Sequence, residues 1–125
     1  MELMPLGTLV HLIRKNSLKS WVSRKQIMED ICEAGAFLHA SNNGYGTPKR
    51  VILHQDLKSA NVLLGMEKGK MRAKIADFGL AFLKEFSSDM SKSKSVQHNG
   101  GTQAYMAPEL FEVDAKFSKV SNIYL

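Results

Sequence analysis

The sequence predicts an α+β fold, and three observations carry that prediction. Apolar residues recur at three- and four-residue spacing from Trp21 to about Ala40, a period that only a helix can bury on one face. Short β-type runs follow at residues 51–53, 62–64 and 73–76. Between the two regions lies Ser41-Asn42-Asn43-Gly44-Tyr45-Gly46-Thr47-Pro48, a run of turn formers that stops the helix and makes a surface loop.

Taken in order, the first element is a short helix over residues 8–13, where Leu9, Val10, Leu12 and Ile13 cluster on one side and Thr8 supplies a capping hydroxyl. The long helix comes next. Its stripe of Trp21, Ile27, Ile31, Ala34 and Leu38, flanked by Met28 and Gly35, reads as core and not as a cofactor site. Between the runs at 62–64 and 73–76, residues 65–70 read as a turn. Beyond Phe82, residues 84–101 are rich in Ser, Lys and Asn with little periodicity and are expected to be mobile. The chain has no internal repeats.

At 125 residues and 44% hydrophobic composition, one domain is the ceiling. The net charge of +5 comes from lysines that are spread out and not interleaved with aromatics, so it reads as solvated surface, with no nucleic-acid partner. The single cysteine, Cys32, excludes an intrachain disulfide, fits a reducing compartment, and reads as a packed thiol in the long helix. The N-terminus lacks a basic stretch followed by an apolar core, and no run approaches the length that spans a bilayer. These features give an intracellular, cytoplasmic expectation.

Three segments in fixed order carry the candidate chemistry. They are His54-Gln55-Asp56-Leu57-Lys58-Ser59-Ala60-Asn61, then Asp77-Phe78-Gly79, then Gly101-Thr102-Gln103-Ala104-Tyr105-Met106-Ala107-Pro108-Glu109. Singly, each has a plain reading: an Asp that opens a loop is usually a turn or cap residue, and Asn61 alone is a turn former. Jointly, with Asn61 five residues after Asp56 and Phe-Gly after Asp77, the set resembles the catalytic half of a protein kinase. Lys58, Gly101-Thr102 and the Tyr-Met-Ala-Pro-Glu wording resemble the serine/threonine type, in its tyrosine-kinase-like group.

The resemblance implies a kinase large-lobe core with the hinge, truncated at both ends, over residues 1–125. Met1-Glu2-Leu3-Met4-Pro5-Leu6-Gly7-Thr8-Leu9 resembles the hinge, with Met1 at the gatekeeper position, so the small lobe with its Gly-rich loop and strand lysine is expected to be missing. Residues 121–125 fall where the central helix of the large lobe begins. The implied activity is transfer of the γ-phosphate of ATP to a serine or threonine hydroxyl of a protein substrate, with Mg2+.

By the same resemblance, Asp56 accepts or orients the hydroxyl proton, and Lys58 places its ammonium near the transferring phosphate. Asn61 and Asp77 offer oxygens to magnesium, as hard cations prefer. The Glu2 carbonyl and Met4 amide meet adenine, Leu63 packs under the ring, and Thr102 hydrogen-bonds near Asp56 and Lys58 to shape the substrate platform. His54 is structural, packed with Phe78.

Two positions depart from the family pattern. Gln55 stands where an arginine usually pairs with a phosphorylated activation loop, a charge-assisted bond that a neutral amide cannot make, so Ser87, Ser88, Ser91, Ser93 and Ser95 are not expected to switch activity through it. Asn122 stands where an aspartate usually accepts backbone N–H bonds from the catalytic loop, and it loses that charge. Two other readings stay open: a pseudokinase-like binding module, although Asp56, Asn61 and Asp77 are all kept, and an inactive truncated fragment.

Overall fold

The computed structural model describes residues 4–42, 45, 49–84, 102–111 and 119–121. The chain divides into two compact units, one of Met1–Gly35 with Lys58–Asp77 and one of Ala36–Leu57 with Phe78–Leu125. Helix and sheet both contribute, as an α+β fold requires.

In the first unit a three-stranded antiparallel sheet has the order β1-β3-β4, with β1 at Gly7–Thr8, β3 at Val62–Glu67 and β4 at Lys70–Ile75. The β3–β4 hairpin runs in register from Val62 opposite Ile75 to Glu67 opposite Lys70. Its turn is therefore only Lys68-Gly69, tighter than the turn expected over 65–70. Both turn residues have positive φ, 49° and 75°, the backbone that lets two residues join right-twisted strands. Because the turn needs so few residues, Gly65, Met66 and Glu67 remain in the ladder.

Helix α1, Leu9–Arg14, follows directly from β1. Thr8 is its N-cap, as expected, but its side chain makes no capping hydrogen bond. The long helix α2, Trp21–His39, begins in this unit. Leu18, Ile27, Val62, Leu64 and Ala73 form the buried cluster, with Leu6, Leu9, Leu12, Ile31 and Met71 packed against it. Removing a Leu or Ile side chain of this size from water contributes about 1.5–3 kcal/mol, so these contacts dominate the unit's stability.

The expected stripe of α2 is corrected at two places. Ile27 is 2% exposed and Leu38 6%, but Trp21 is 75% and Met28 55% exposed. Each residue turns about 100° around a helix, so Met28 stands at the edge of the side that Ile27 buries and is only partly covered. Trp21 opens the helix, before the stripe has reached its partner cluster. Cys32 is exposed too, not packed, because it lies one position past Ile31 on the outward side.

One charged side chain interrupts this apolar interior. The buried carboxylate of Asp30 accepts the Ala73 N–H at 2.7 Å and the Arg72 Nε–H at 3.1 Å on Oδ2. Its Oδ1 receives Arg72 Nη2 at 3.0 Å and Gln26 Nε2 at 3.1 Å. A charge removed from water needs such partners, and here they join α2 to β4.

The second unit holds a two-stranded antiparallel sheet of β2, Val51–Leu53, and β5, Phe82–Lys84, paired Val51 to Lys84 and Leu53 to Phe82. Val51, Leu53, Ala107 and Leu110 form its buried cluster, with Met106 against it. The Lys49 N–H donates to the Ser41 carbonyl at 2.9 Å and closes the expected loop, of which residues 41, 42 and 45 are described. Lys49 also donates Nζ to the Leu38 carbonyl at 3.2 Å, and its ammonium lies 4.8 Å from the centre of the Phe37 ring. Among the described residues, no helix is long and apolar enough to cross a membrane.

Candidate active site

In the second unit, β2 delivers His54 and the residues after it. His54 is fully buried and meets Phe78 edge to face, with ring centres 4.9 Å apart and planes at 60°, so the histidine is part of the packing, as expected. Its Nδ1 accepts the Asp56 N–H at 3.4 Å, a long bond that turns the chain at Gln55. Gln55 has φ of +65°, a left-handed backbone uncommon for a residue with a side chain. That bend brings the Asp56 carboxylate to Thr102. Asp56 Oδ1 accepts both the Thr102 N–H at 3.0 Å and the Thr102 hydroxyl at 2.9 Å.

Thr102 in turn opens the 3₁₀ turn Gln103–Tyr105, whose Tyr105 N–H donates back to the Thr102 carbonyl at 2.9 Å. A second 3₁₀ turn, Pro108–Phe111, follows and buries Leu110 in the cluster around Val51 and Leu53. Within it the Glu109 carboxylate accepts the Ser121 hydroxyl at 2.6 Å, and this bond, with a further one from the Glu109 backbone, lowers the Glu109 pKa below its ordinary value.

In the first unit, Lys58 is extended and leads into the 3₁₀ turn Ser59–Asn61, where the Asn61 N–H donates to the Lys58 carbonyl at 2.9 Å. Asn61 is 7% exposed. Its carbonyl accepts the Ala76 N–H at 2.8 Å, which prolongs the β3–β4 ladder by one step beyond Val62 and Ile75. Asn61 and Asp77 therefore stand at the open end of one hairpin. Asp77 has φ of +62° and is exposed, so the chain turns sharply where its carboxylate leaves the strand.

These two side chains suit magnesium by their chemistry. Both present oxygen, and magnesium is commonly held by one or two carboxylates together with phosphate oxygens and water, not by an all-protein cage. Among the described residues no group of three or more His, Cys, Asp or Glu converges.

Of the residues expected on the adenine side, Leu63 lies on β3 and Met4 precedes β1. The Leu6 N–H donates to the Leu64 carbonyl at 3.1 Å, the Gly7 N–H to the Met4 carbonyl at 3.2 Å, and Thr8 pairs with Leu63. Leu63 thus belongs to the sheet and Met4 to the turn that leads into β1, while Glu2 lies outside the described residues. Gly65 is a residue that sequence reasoning passed over: a Cβ there would stand 3.2 Å from the Met4 Sδ and Cε and 3.6 Å from Pro5 Cδ. Its signal was a glycine inside a strand pattern, a mark of close backbone approach. The unit also contains a cavity of about 400 Å³ lined by Leu9, Ile13, Leu18, Arg24, Ile27 and Met28, and none of the site residues expected from the sequence lines it.

Residues 1–124 match the family model described as the protein kinase domain. The chain belongs to the protein kinase family. It is 37% identical over 118 residues to receptor-interacting serine/threonine-protein kinase 3 of Rattus norvegicus, covering 94% of this chain and 22% of the rat protein. It is 34% identical over 125 residues to L-type lectin-domain containing receptor kinase S.1 of Arabidopsis thaliana, covering 98% of this chain and 17% of the relative. The probable receptor kinase VII.2 of the same lectin-domain type and plant is 36% identical over 109 residues, covering 87% and 14%. This kinase chain spans about a fifth of the length of the curated relatives it matches. The names of these relatives are consistent with the serine/threonine type that the motifs resemble.

The serines of residues 87–95 and Asn122 lie outside the described residues, so the two departures are open to structural reading only at Gln55. There the glutamine adopts the left-handed backbone already described.

Proposed function

We propose that this chain carries the catalytic loop, metal arm and part of the adenine site of a serine/threonine protein kinase, within residues 1–125 that belong to the large-lobe core and hinge. The observation that carries the reading is the double hydrogen bond from Thr102 to one oxygen of Asp56, which fixes the carboxylate's orientation. A carboxylate aimed in this way suits a group that must meet one hydroxyl proton in one geometry.

In this reading the hydroxyl oxygen of a protein serine or threonine attacks the γ-phosphorus of ATP, the bond from that phosphorus to the β–γ bridging oxygen breaks, and ADP leaves. Asp56 takes the hydroxyl proton. Lys58 offsets negative charge on the transferred group, and Thr102 holds Asp56 and borders the substrate platform. Asn61 and Asp77 are the residues that would hold magnesium, which when bound neutralises charge on the phosphate oxygens. Met4 and Leu63 supply the adenine side, with the Glu2 carbonyl as its proposed neighbour.

The test is phosphate transfer from γ-labelled ATP to serine, threonine and tyrosine peptides, with Asp56→Asn as the comparison. Transfer to serine or threonine that falls by about 10²–10⁴ in Asp56→Asn supports the reading. Nucleotide binding without transfer to any peptide would favour a pseudokinase-like binding module instead.

A further inference from the structure

The mechanism gives no role to Asp30, yet it is 5% exposed and its carboxylate receives four hydrogen bonds or ion-pair contacts. Three of the four donors belong to β4: the Ala73 backbone N–H and two nitrogens of Arg72. A carboxylate that needed only to be satisfied could take its donors from its own helix, as it does from Gln26. This one instead grips a strand 42 and 43 residues away in sequence.

The strand it grips is the one that ends at the metal arm. Ala73 pairs with Leu64, and the same ladder continues through Ile75 opposite Val62 to the Ala76 N–H on the Asn61 carbonyl. Asp77 is the next residue. A hairpin is stiff along its strands, so where Ala73 is held determines where the open end presents Asn61 and Asp77. The donor end of the Ala73 bond is backbone, so on β4 it moves only with the strand itself.

We propose that Asp30 is a positioning residue for the metal arm: by tying Ala73 and Arg72 of β4 to α2, its carboxylate sets the placement of the hairpin end that carries Asn61 and Asp77. The metal part of this inference rests on the reading of Asn61 and Asp77 given above; the clamp itself does not. Asp30→Asn keeps the shape but turns an amide donor toward donors, and Arg72→Met removes the charged contacts while leaving the Ala73 bond.

The experiment titrates magnesium into the full chain at fixed ATP for wild type, Asp30→Asn and Arg72→Met, and follows amide exchange at Ala76 with Ala40 as control. The magnesium concentration at half-saturation is expected to rise about tenfold in Asp30→Asn and less in Arg72→Met, as for other residues that support metal ligands. Exchange at Ala76 should quicken while that at Ala40, bonded to the Ala36 carbonyl, does not move. A lowered melting temperature with half-saturation and Ala76 exchange both at wild-type values would overturn the proposal and leave Asp30 a purely structural residue. If Asp30→Asn does not fold, Arg72→Met decides by the same two readouts. If wild type shows no magnesium-dependent binding, the metal reading of Asn61 and Asp77 falls, and Ala76 exchange alone decides whether Asp30 holds the hairpin end.

Discussion

Oδ1 of Asp56 is shared by two donors of one residue, the backbone N–H and the side-chain hydroxyl of Thr102, at 3.0 and 2.9 Å. Two bonds from one residue to one oxygen hold that oxygen of the carboxylate against Thr102. Thr102→Val keeps the backbone bond and loses the hydroxyl bond. A hydrogen bond to a charged group contributes about 1.5–3 kcal/mol, so transfer should slow about tenfold or more with the KM for ATP unchanged. Thr102→Ser should recover most of the rate. Equal rates for Thr102→Val and wild type would show that the hydroxyl does not orient Asp56.

The hairpin turn offers a stability test free of any functional assumption. Lys68 and Gly69 both adopt positive φ, and asparagine reaches that region more readily than lysine. Lys68→Asn is expected to stabilise the chain by about 0.5 kcal/mol, seen as a higher melting temperature. A lower one would mean that the Lys68 side chain contributes more than its backbone conformation takes away.

Gly65 separates size from chemistry on the proposed adenine side. Alanine there would press on the flexible end of Met4 and should be tolerated, whereas valine would push Met4 and Pro5 off the strand. Gly65→Val should weaken ATP binding about tenfold, roughly 1.4 kcal/mol, and Gly65→Ala much less. Titration calorimetry of the two variants checks this, and equal affinities would remove Met4 from the nucleotide site.

His39 gives the acid side of the stability curve. Burial first, then the charges of Lys119 and Lys49, hold its pKa below the ordinary histidine value of 6.5. The unfolded chain takes up a proton near that value and the folded chain only at lower pH, so between them the unfolded state binds more protons. Stability should therefore fall as pH drops through about 6.5, until the folded value is passed. His39→Gln should flatten this part of a melting-temperature series; an unchanged slope would assign the loss to other groups.

Much of this arrangement was legible in the sequence because it is local. The Ile27, Ile31 and Leu38 spacing gave the long helix and the apolar runs gave β2 and the cores of β3 and β4, whereas His54 against Phe78 came only from the family resemblance. What escaped depends on partners far along the chain. Strands as short as Gly7–Thr8 and Phe82–Lys84 exist only through pairing with β3 and β2, and no window of sequence shows that. Trp21 and Met28 fit a helical period yet stay exposed, because periodicity marks a face without saying where its cover ends. Nothing local in the sequence marks Asp30, since Arg72 and Ala73 are more than forty positions away.

The central claim is that the hairpin end holds magnesium for ATP, and calorimetric titration of ATP with and without magnesium tests it most directly, on wild type and Asp77→Asn. Asparagine tolerates the left-handed backbone at this position, so the substitution removes charge with little strain. The account predicts that magnesium tightens ATP binding about tenfold or more in wild type and that the gain disappears in Asp77→Asn. ATP binding that is indifferent to magnesium, or a gain that survives in Asp77→Asn, would contradict it.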